Sequence, residues 1–297
     1  MSKPWGSLKH RLYNQKLERT FRPILGTRLL KCNPQAKVEI HTLTCHYHLP
    51  MYISAIKSLL RFYDDIAVIV HDDGTLNGKD NILLEKHVKG IRVIDKASAD
   101  KKVGDALGGY KTCAKYRPSV INSMELLDFM LLAEKNKIIC MNSDVLFLSK
   151  PEELINWALN CGNEIIGVYE DKPAYQRQFL SELGCDFPPN ITLGLLCCYR
   201  DIFDPGLVES ILARIEAEHI DRRFDKFIYW YYGQNIYPIL IKNRSDIHKT
   251  SFFAKDKYQA SGVFKDGAIF RHYWTSTGWF LNMQRNDSRM IIRDIGI

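Results

Sequence analysis

Beyond residue 36 the chain alternates short apolar runs with amphipathic stretches. Val38, Ile40 and Thr42 alternate as in a strand, and Leu49, Tyr52, Ile53, Ile56, Leu59, Leu60 and Tyr63 then share one helical face. The continuous apolar run from Ile66 to Val70 suits a strand buried on both faces of a parallel sheet. Helical spacing returns at Ile82, Leu83, Leu84 and Val88, followed by a strand at Ile91 to Ile94. A strand, helix, strand, helix, strand series of this kind predicts a doubly wound α/β fold with a mostly parallel sheet flanked by helices.

Gly104, Gly108 and Gly109 interrupt the pattern and predict a mobile loop. Pro118 fits the first turn of the next helix, whose Val120, Ile121, Met124, Leu127 and Leu131 share a face. Two apolar runs, Ile138 to Met141 and Val145 to Leu148, flank a polar interruption at Asn142, Ser143 and Asp144. Pro151 starts a short helix, and strands follow at Ile165 to Tyr169 and Ile191 to Tyr199. The intervening Lys172 to Asn190, with Pro173, Pro188 and Pro189, reads as a lid or acceptor loop.

Charge changes this picture at one place. Residues 1–36 carry eight basic side chains against Glu18 alone, which accounts for the net charge of +7; the other residues balance. The sequence thus divides into a basic arm, 1–36, and one domain, 37–297, with a donor half near 37–150 and an acceptor half near 151–297. Trp5, Leu8, Leu12, Leu17 and Phe21 recur at helical spacing in the arm until Pro23. Two readings stay open for it: a helix packed on the domain with a solvated basic face, or peripheral contact with an anionic membrane surface. No nucleic-acid module accompanies the charge, so nucleic acid is not an expected partner. Eight cysteines without a CxxC pair predict reduced thiols, and no apolar run is long enough to span a bilayer. A cytoplasmic protein is the expectation. Cys45, His46 and His48 lack the second ligand pair of a structural zinc site.

The polar interruption carries the candidate chemistry. Open α/β sheets bind ligands at the carboxyl ends of their strands, where Asp144 would sit. A carboxylate there suits a divalent cation that bridges the phosphates of a nucleotide-diphosphate donor; the plain alternative is a turn or cap. Lys137 to Leu154, KIICMNSDVLFLSKPEEL, resembles the metal-binding DxD region of glycosyltransferases with the GT-A fold. Val38 to Leu60 is similar to their first strand and helix, and Ile69 to Leu76 to the end of their second strand. Thr192 to Arg200 resembles the strand with an N-x-G pattern in retaining members, and Tyr231 to Leu240 the helix that bears an acidic residue or Gln facing the acceptor.

The resemblance implies a transferase that moves a sugar from a nucleotide-sugar donor to a saccharide, lipid-linked or protein acceptor, with Mn or Mg as cofactor. It implies donor contacts from Thr44, Tyr47, Asp72, Asp73, Lys115, Arg117, Asn142, Ser143 and Gly194, catalytic roles for Asp144, Asp171 and Gln234, and metal ligation by Asp144 and His272. Two positions depart from the pattern: Asn142 stands for the first DxD carboxylate, and Thr192 for the usual asparagine. Read from the residues alone, Asp72-Asp73-Gly74 serves equally as a tight turn, Lys115 and Arg117 as a solvated helix approach, and His272 as a structural histidine. Glu170 and Asp171 suit a general base, sugar-hydroxyl acceptors or a plain loop. Phe227, Tyr229, Trp230, Tyr231, Tyr232 and Tyr237 offer stacking faces for sugars.

Two other functions compete. A catalytically silent nucleotide-sugar or carbohydrate-binding protein is compatible with Asn142. A sugar nucleotidyltransferase is suggested by Gly26-Thr27-Arg28-Leu29, but that motif precedes the first strand, where its amides cannot cradle a phosphate at the sheet edge.

Overall fold

The computed structural model describes residues 8–170, 177–185, 191–220, 232–260, 264–273 and 278–296. In chain order these form α1 (Leu8–Phe21), β1 (Leu30–Lys31), β2 (Val38–Thr44), α2 (Leu49–Leu60), β3 (Ala67–Asp72), α3 (Gly78–His87), β4 (Val88–Lys89) and β5 (Arg92–Ile94). Next come α4 (Lys96–Ala106), α5 (Lys111–Tyr116), α6 (Ser123–Leu132), β6 (Lys137–Met141), β7 (Val145–Phe147), α7 (Glu152–Leu159), β8 (Glu164–Tyr169) and α8 (Arg177–Glu182). The remainder is β9 (Ile191–Tyr199), α9 (Pro205–Glu218), α10 (Tyr232–Asn243), β10 (Lys249–Phe252), β11 (Tyr258–Ala260), β12 (Phe270–His272) and α11 (Gly278–Ile295).

Seven strands make the central sheet in the order β10-β8-β9-β6-β2-β3-β5. All neighbours run parallel except β9, which is antiparallel to both β6 and β8. The α/β class and the mostly parallel sheet expected from the alternating runs are therefore present. Strands β3 and β9 are buried at every position, as their unbroken apolar runs require. One hydrophobic core extends from Ile24 to Ile295. A second, three-stranded sheet, β11-β12-β7, turns off the main one immediately after β6.

The glycine-marked segment is ordered differently from the expectation. Lys96 to Ala106 is helical through Gly104, because the Asp95 carboxylate caps it by accepting from Ser98 N at 2.9 Å and Ala99 and Val103 bury one face. Only Gly108 and Gly109 fall in a turn. The following helix starts at Ser123 and not at Pro118. In the arm, α1 packs Leu17 and Phe21 against Met51 and Leu281, while Leu12 stays 55% exposed. Among the described residues no helix is long and apolar enough to cross a membrane.

Candidate active site

The chain places its candidate chemistry where the two sheets part. Strand β6 ends at Met141, Asn142 to Asp144 make the turn, and β7 pairs antiparallel with β12 so that His272 lies opposite Val145. Tyr273 N donates to the Asp144 carbonyl at 3.0 Å, fixing this register. His272 Nε2 consequently lies 3.3 Å from Asp144 Oδ1. Strand β9 runs beside the turn, its Gly194 carbonyl accepting from Asn142 N at 3.2 Å. The imidazole rests on Gly194: a Cβ there would lie 2.4 Å from His272 Nδ1 and 2.7 Å from its Cγ, a distance no side chain tolerates. Thr192 Oγ1 accepts from Gly194 N at 3.1 Å and lies 3.5 Å from His272 Nδ1. The residue that departs from the N-x-G pattern therefore sits at the back of the ring. Ser143 is buried, and Asn142 is half-buried beside it.

Burial, the largest single influence, works against a charge on His272, but Asp144, Glu170 and Glu125 together outweigh it, and the imidazole is held above its ordinary value. Glu125, half-buried on α6, is a site residue that the sequence pattern did not single out. Burial pushes its carboxyl up to about 7, Asp144 acts in the same direction, and His272 opposes both. The only sequence signal was a carboxylate inside the apolar face Met124, Leu126, Leu127. Helix α10 closes this side by hydrogen-bonding Tyr237 Oη to the Glu125 carbonyl at 2.8 Å, and it carries Gln234, half-buried, in its first turn. Glu170 is fully buried at the end of β8, bridged to Ala260 of β11.

The donor-side candidates are arranged otherwise. Asp72 Oδ1 accepts from Gly74 N at 2.7 Å and Leu76 N at 3.0 Å; Asp73 Oδ1 accepts from Thr75 N at 2.9 Å and Thr75 Oγ1 at 2.6 Å. Gly74 has φ +99°, so the tight-turn reading describes what these oxygens do. Burial raises the Asp73 carboxyl, with Thr75 opposing. Thr44 is buried at the end of β2, its hydroxyl without a hydrogen-bond partner, and Tyr47 is half-buried beside His46. His46 in turn is held by Asp80 at 2.9 Å, so the Cys45 to His48 turn is tied to α3.

Two expected phosphate partners are committed elsewhere. Arg117, 8% exposed, grips Asp128 through Nε at 2.8 Å and Nη2 at 2.7 Å and reaches Asp100 at 2.6 Å. Its guanidinium thus neutralises a fully buried carboxylate instead of facing a ligand. Lys115 is exposed and paired with Glu216 on α9. Asp171, the aromatic residues Phe227, Tyr229, Trp230 and Tyr231, and the prolines of the 172–190 segment lie outside the described residues. Among the described residues, no three His, Cys, Asp or Glu side chains form a group able to hold a metal ion. The protein side of the site is the Asp144 and His272 pair.

No family model matches the sequence, and no curated protein matches it in sequence. The solved structures similar to the chain include glycosyltransferases. Galactosyltransferase LgtC, in complex with donor and acceptor sugar analogues, matches 85% of this chain and 95% of its own at 12% identity and a TM-score of 0.45. The glycosyltransferase GlyE of Streptococcus pneumoniae matches 88% of this chain and 63% of its own at 13% identity and a TM-score of 0.47. Core-mannan synthase A of Aspergillus fumigatus, in an Mn/GDP form, matches 74% of this chain and 73% of its own at 11% identity and a TM-score of 0.46.

Proposed function

We propose that the chain is a GT-A glycosyltransferase that moves a sugar from a nucleotide-diphosphate donor to an acceptor hydroxyl, using a divalent cation. The observation that carries this reading is the Asp144 and His272 pair, set at the carboxyl edge of a mostly parallel sheet over a glycine that only a bare backbone can supply. A carboxylate oxygen and an imidazole nitrogen 3.3 Å apart fit adjacent positions around one ion, since cis ligands about 2.1 Å from a metal lie about 3 Å from each other. The nitrogen favours manganese over magnesium, which prefers oxygen alone. When bound, the ion supplies positive charge to the leaving diphosphate.

In this reading Asp144 and His272 hold the ion, and the donor's phosphates complete its coordination. Asn142 and Ser143 line the same turn, and Gly194 permits the close approach. Thr44, Tyr47 and the Asp72 to Asp73 turn border the nucleoside in the donor half, residues 37–150. Gln234 and Asp171 belong to the acceptor half and position the attacking hydroxyl or a sugar hydroxyl. Lys115 and Arg117 have no part in it. A saccharide, lipid-linked or protein acceptor fits, and one presented at an anionic membrane surface suits the charge of the arm. A thermal-shift screen against nucleotide sugars, with and without manganese, tests the proposal, because a ligand of the native state raises stability by mass action. A manganese-dependent shift with one nucleotide sugar, abolished in Asp144→Asn, supports it; no shift with any donor overturns it.

A further inference from the structure

Away from Asp144 and His272, an open groove of about 460 Å³ runs between α1 and α11. Lys16 and Arg19 line it from α1, Arg285 and Arg289 from α11, and no carboxylate lines it among the described residues. The placement follows from helical spacing: Leu17 and Phe21 turn inward on α1, so residues 12, 16, 19 and 23 share the opposite face. On α11, Leu281, Ser288, Ile291 and Ile295 are buried, which leaves Arg285 and Arg289 one turn apart outside. The acids of α11 are engaged elsewhere, Asp287 with Arg271 and Tyr273, and Asp294 with Arg61. Four like charges along one groove repel each other, a cost that an anionic occupant removes.

The groove also has apolar surface in water: Leu12 lines it at 55% exposure, and Pro23 lines it as well. Cations interspersed with exposed aliphatic side chains are the composition of a surface that lies on lipid headgroups, where a free-anion pocket would converge donors on a point. Its position matters as well. Helix α1 packs on the Cys45 to His48 turn, which leaves the carboxyl end of β2, the same edge of the sheet that carries Asp144.

We propose that the α1/α11 groove docks on the phosphate headgroups of an anionic lipid bilayer. Only the consequence, that docking brings the site to acceptors in that surface, rests on the transferase reading. Each cation near such a surface is worth about 1 kcal/mol, or about fivefold in partitioning. Sedimentation of the full chain with phosphatidylserine-containing vesicles and with pure phosphatidylcholine vesicles tests it. The variant Lys16→Ala, Arg19→Ala, Arg285→Ala, Arg289→Ala should lose about 100-fold or more in binding to the anionic vesicles. Removing four exposed lysines of α3 and α4 instead (Lys79, Lys86, Lys101 and Lys102 to Ala) lowers net charge equally and should change binding only a fewfold. Equal losses in the two variants, or no preference of the wild type for anionic vesicles, overturns the proposal. So does a groove-dependent thermal shift with inorganic pyrophosphate unaccompanied by vesicle binding, which marks a small-anion site. A nucleotide-sugar shift preserved in the groove variant shows that variant to be folded and keeps this test apart from that of the transferase reading.

Discussion

Carboxylates follow buried strands at two places on the same edge of the sheet, and the fold treats them in opposite ways. After β3, Asp72 and Asp73 turn their oxygens back on their own loop and satisfy four backbone and hydroxyl donors. After β6, Asp144 meets an imidazole brought from the far end of the sequence, 128 residues away, on a strand of a different sheet. The lesson is that an aspartate at a strand end carries little information by itself. What separates a turn from a reactive site is whether the nearest donors come from adjacent residues or from distant ones. Two basic candidates are likewise spent on partners within the fold, Arg117 on the buried Asp128 and Lys115 on Glu216 of α9.

If that contrast is right, donor-side variants should cost stability and turn-side variants should cost activity. The largest effect is expected for Arg117→Ala, which leaves the buried Asp128 without its cation and should lower unfolding free energy by about 3–5 kcal/mol, whereas Lys115→Ala should cost less than about 1 kcal/mol. Denaturant unfolding of both variants checks this; a small effect of Arg117→Ala with weakened donor binding would return that residue to the phosphates. Asp144→Asn should reduce transfer by about 100-fold or more at saturating metal while leaving the melting temperature near wild type, as expected when several kcal/mol of charge stabilisation is removed. Unchanged turnover in that variant would sink the assignment. Gly194→Ala forces a methyl against the imidazole and should cost about 1–3 kcal/mol in stability together with loss of cation-dependent donor binding. A variant that melts like wild type and still binds manganese with nucleotide would show that His272 moves freely.

The last expectation concerns pH. The Glu125 carboxyl lies near 7 in the fold against an ordinary 4.5, so the native state holds this proton more tightly than the unfolded chain. Its contribution to stability is complete below pH 4.5 and is lost as pH rises through about 7. Relative to Glu125→Gln, the wild-type melting temperature should therefore fall between those limits. Parallel curves for the two proteins would show that neither burial nor Asp144 raises this carboxyl.

Much of the fold was legible because burial on both faces leaves unbroken apolar runs: β3, β6 and β9 announce themselves in Ile66 to Val70, Ile138 to Met141 and Ile191 to Tyr199. Direction was not legible, since hydrophobic pattern is the same for a strand read either way, and the reversal of β9 came only with the structure. The helix through Gly104 was hidden because one glycine costs only about 1 kcal/mol, less than the Asp95 cap and the burial of Ala99, Val103 and Leu107 return. At the site, Asp144 stood out by its interruption of two apolar runs and His272 by resemblance to a family position. Glu125 did not stand out, because its raised carboxyl comes first from burial under the folded chain and then from Asp144, 19 residues later, neither of which a local pattern encodes.

The reversed strand is also a seam between two parts of the sheet. In the order β10-β8-β9-β6-β2-β3-β5, every ladder bond between the β8 and β10 pair and the other four strands runs through β9. The sheet therefore consists of two blocks joined by one strand. Such a seam is a natural boundary between cooperative units in native-state hydrogen exchange. Because Gly194 belongs to the seam, opening it withdraws the floor beneath His272 while β6, β2, β3 and β5 remain paired. Amides of β9 should then exchange sooner than those of β2 and β3, and heating should extinguish cation binding before it melts the parallel block.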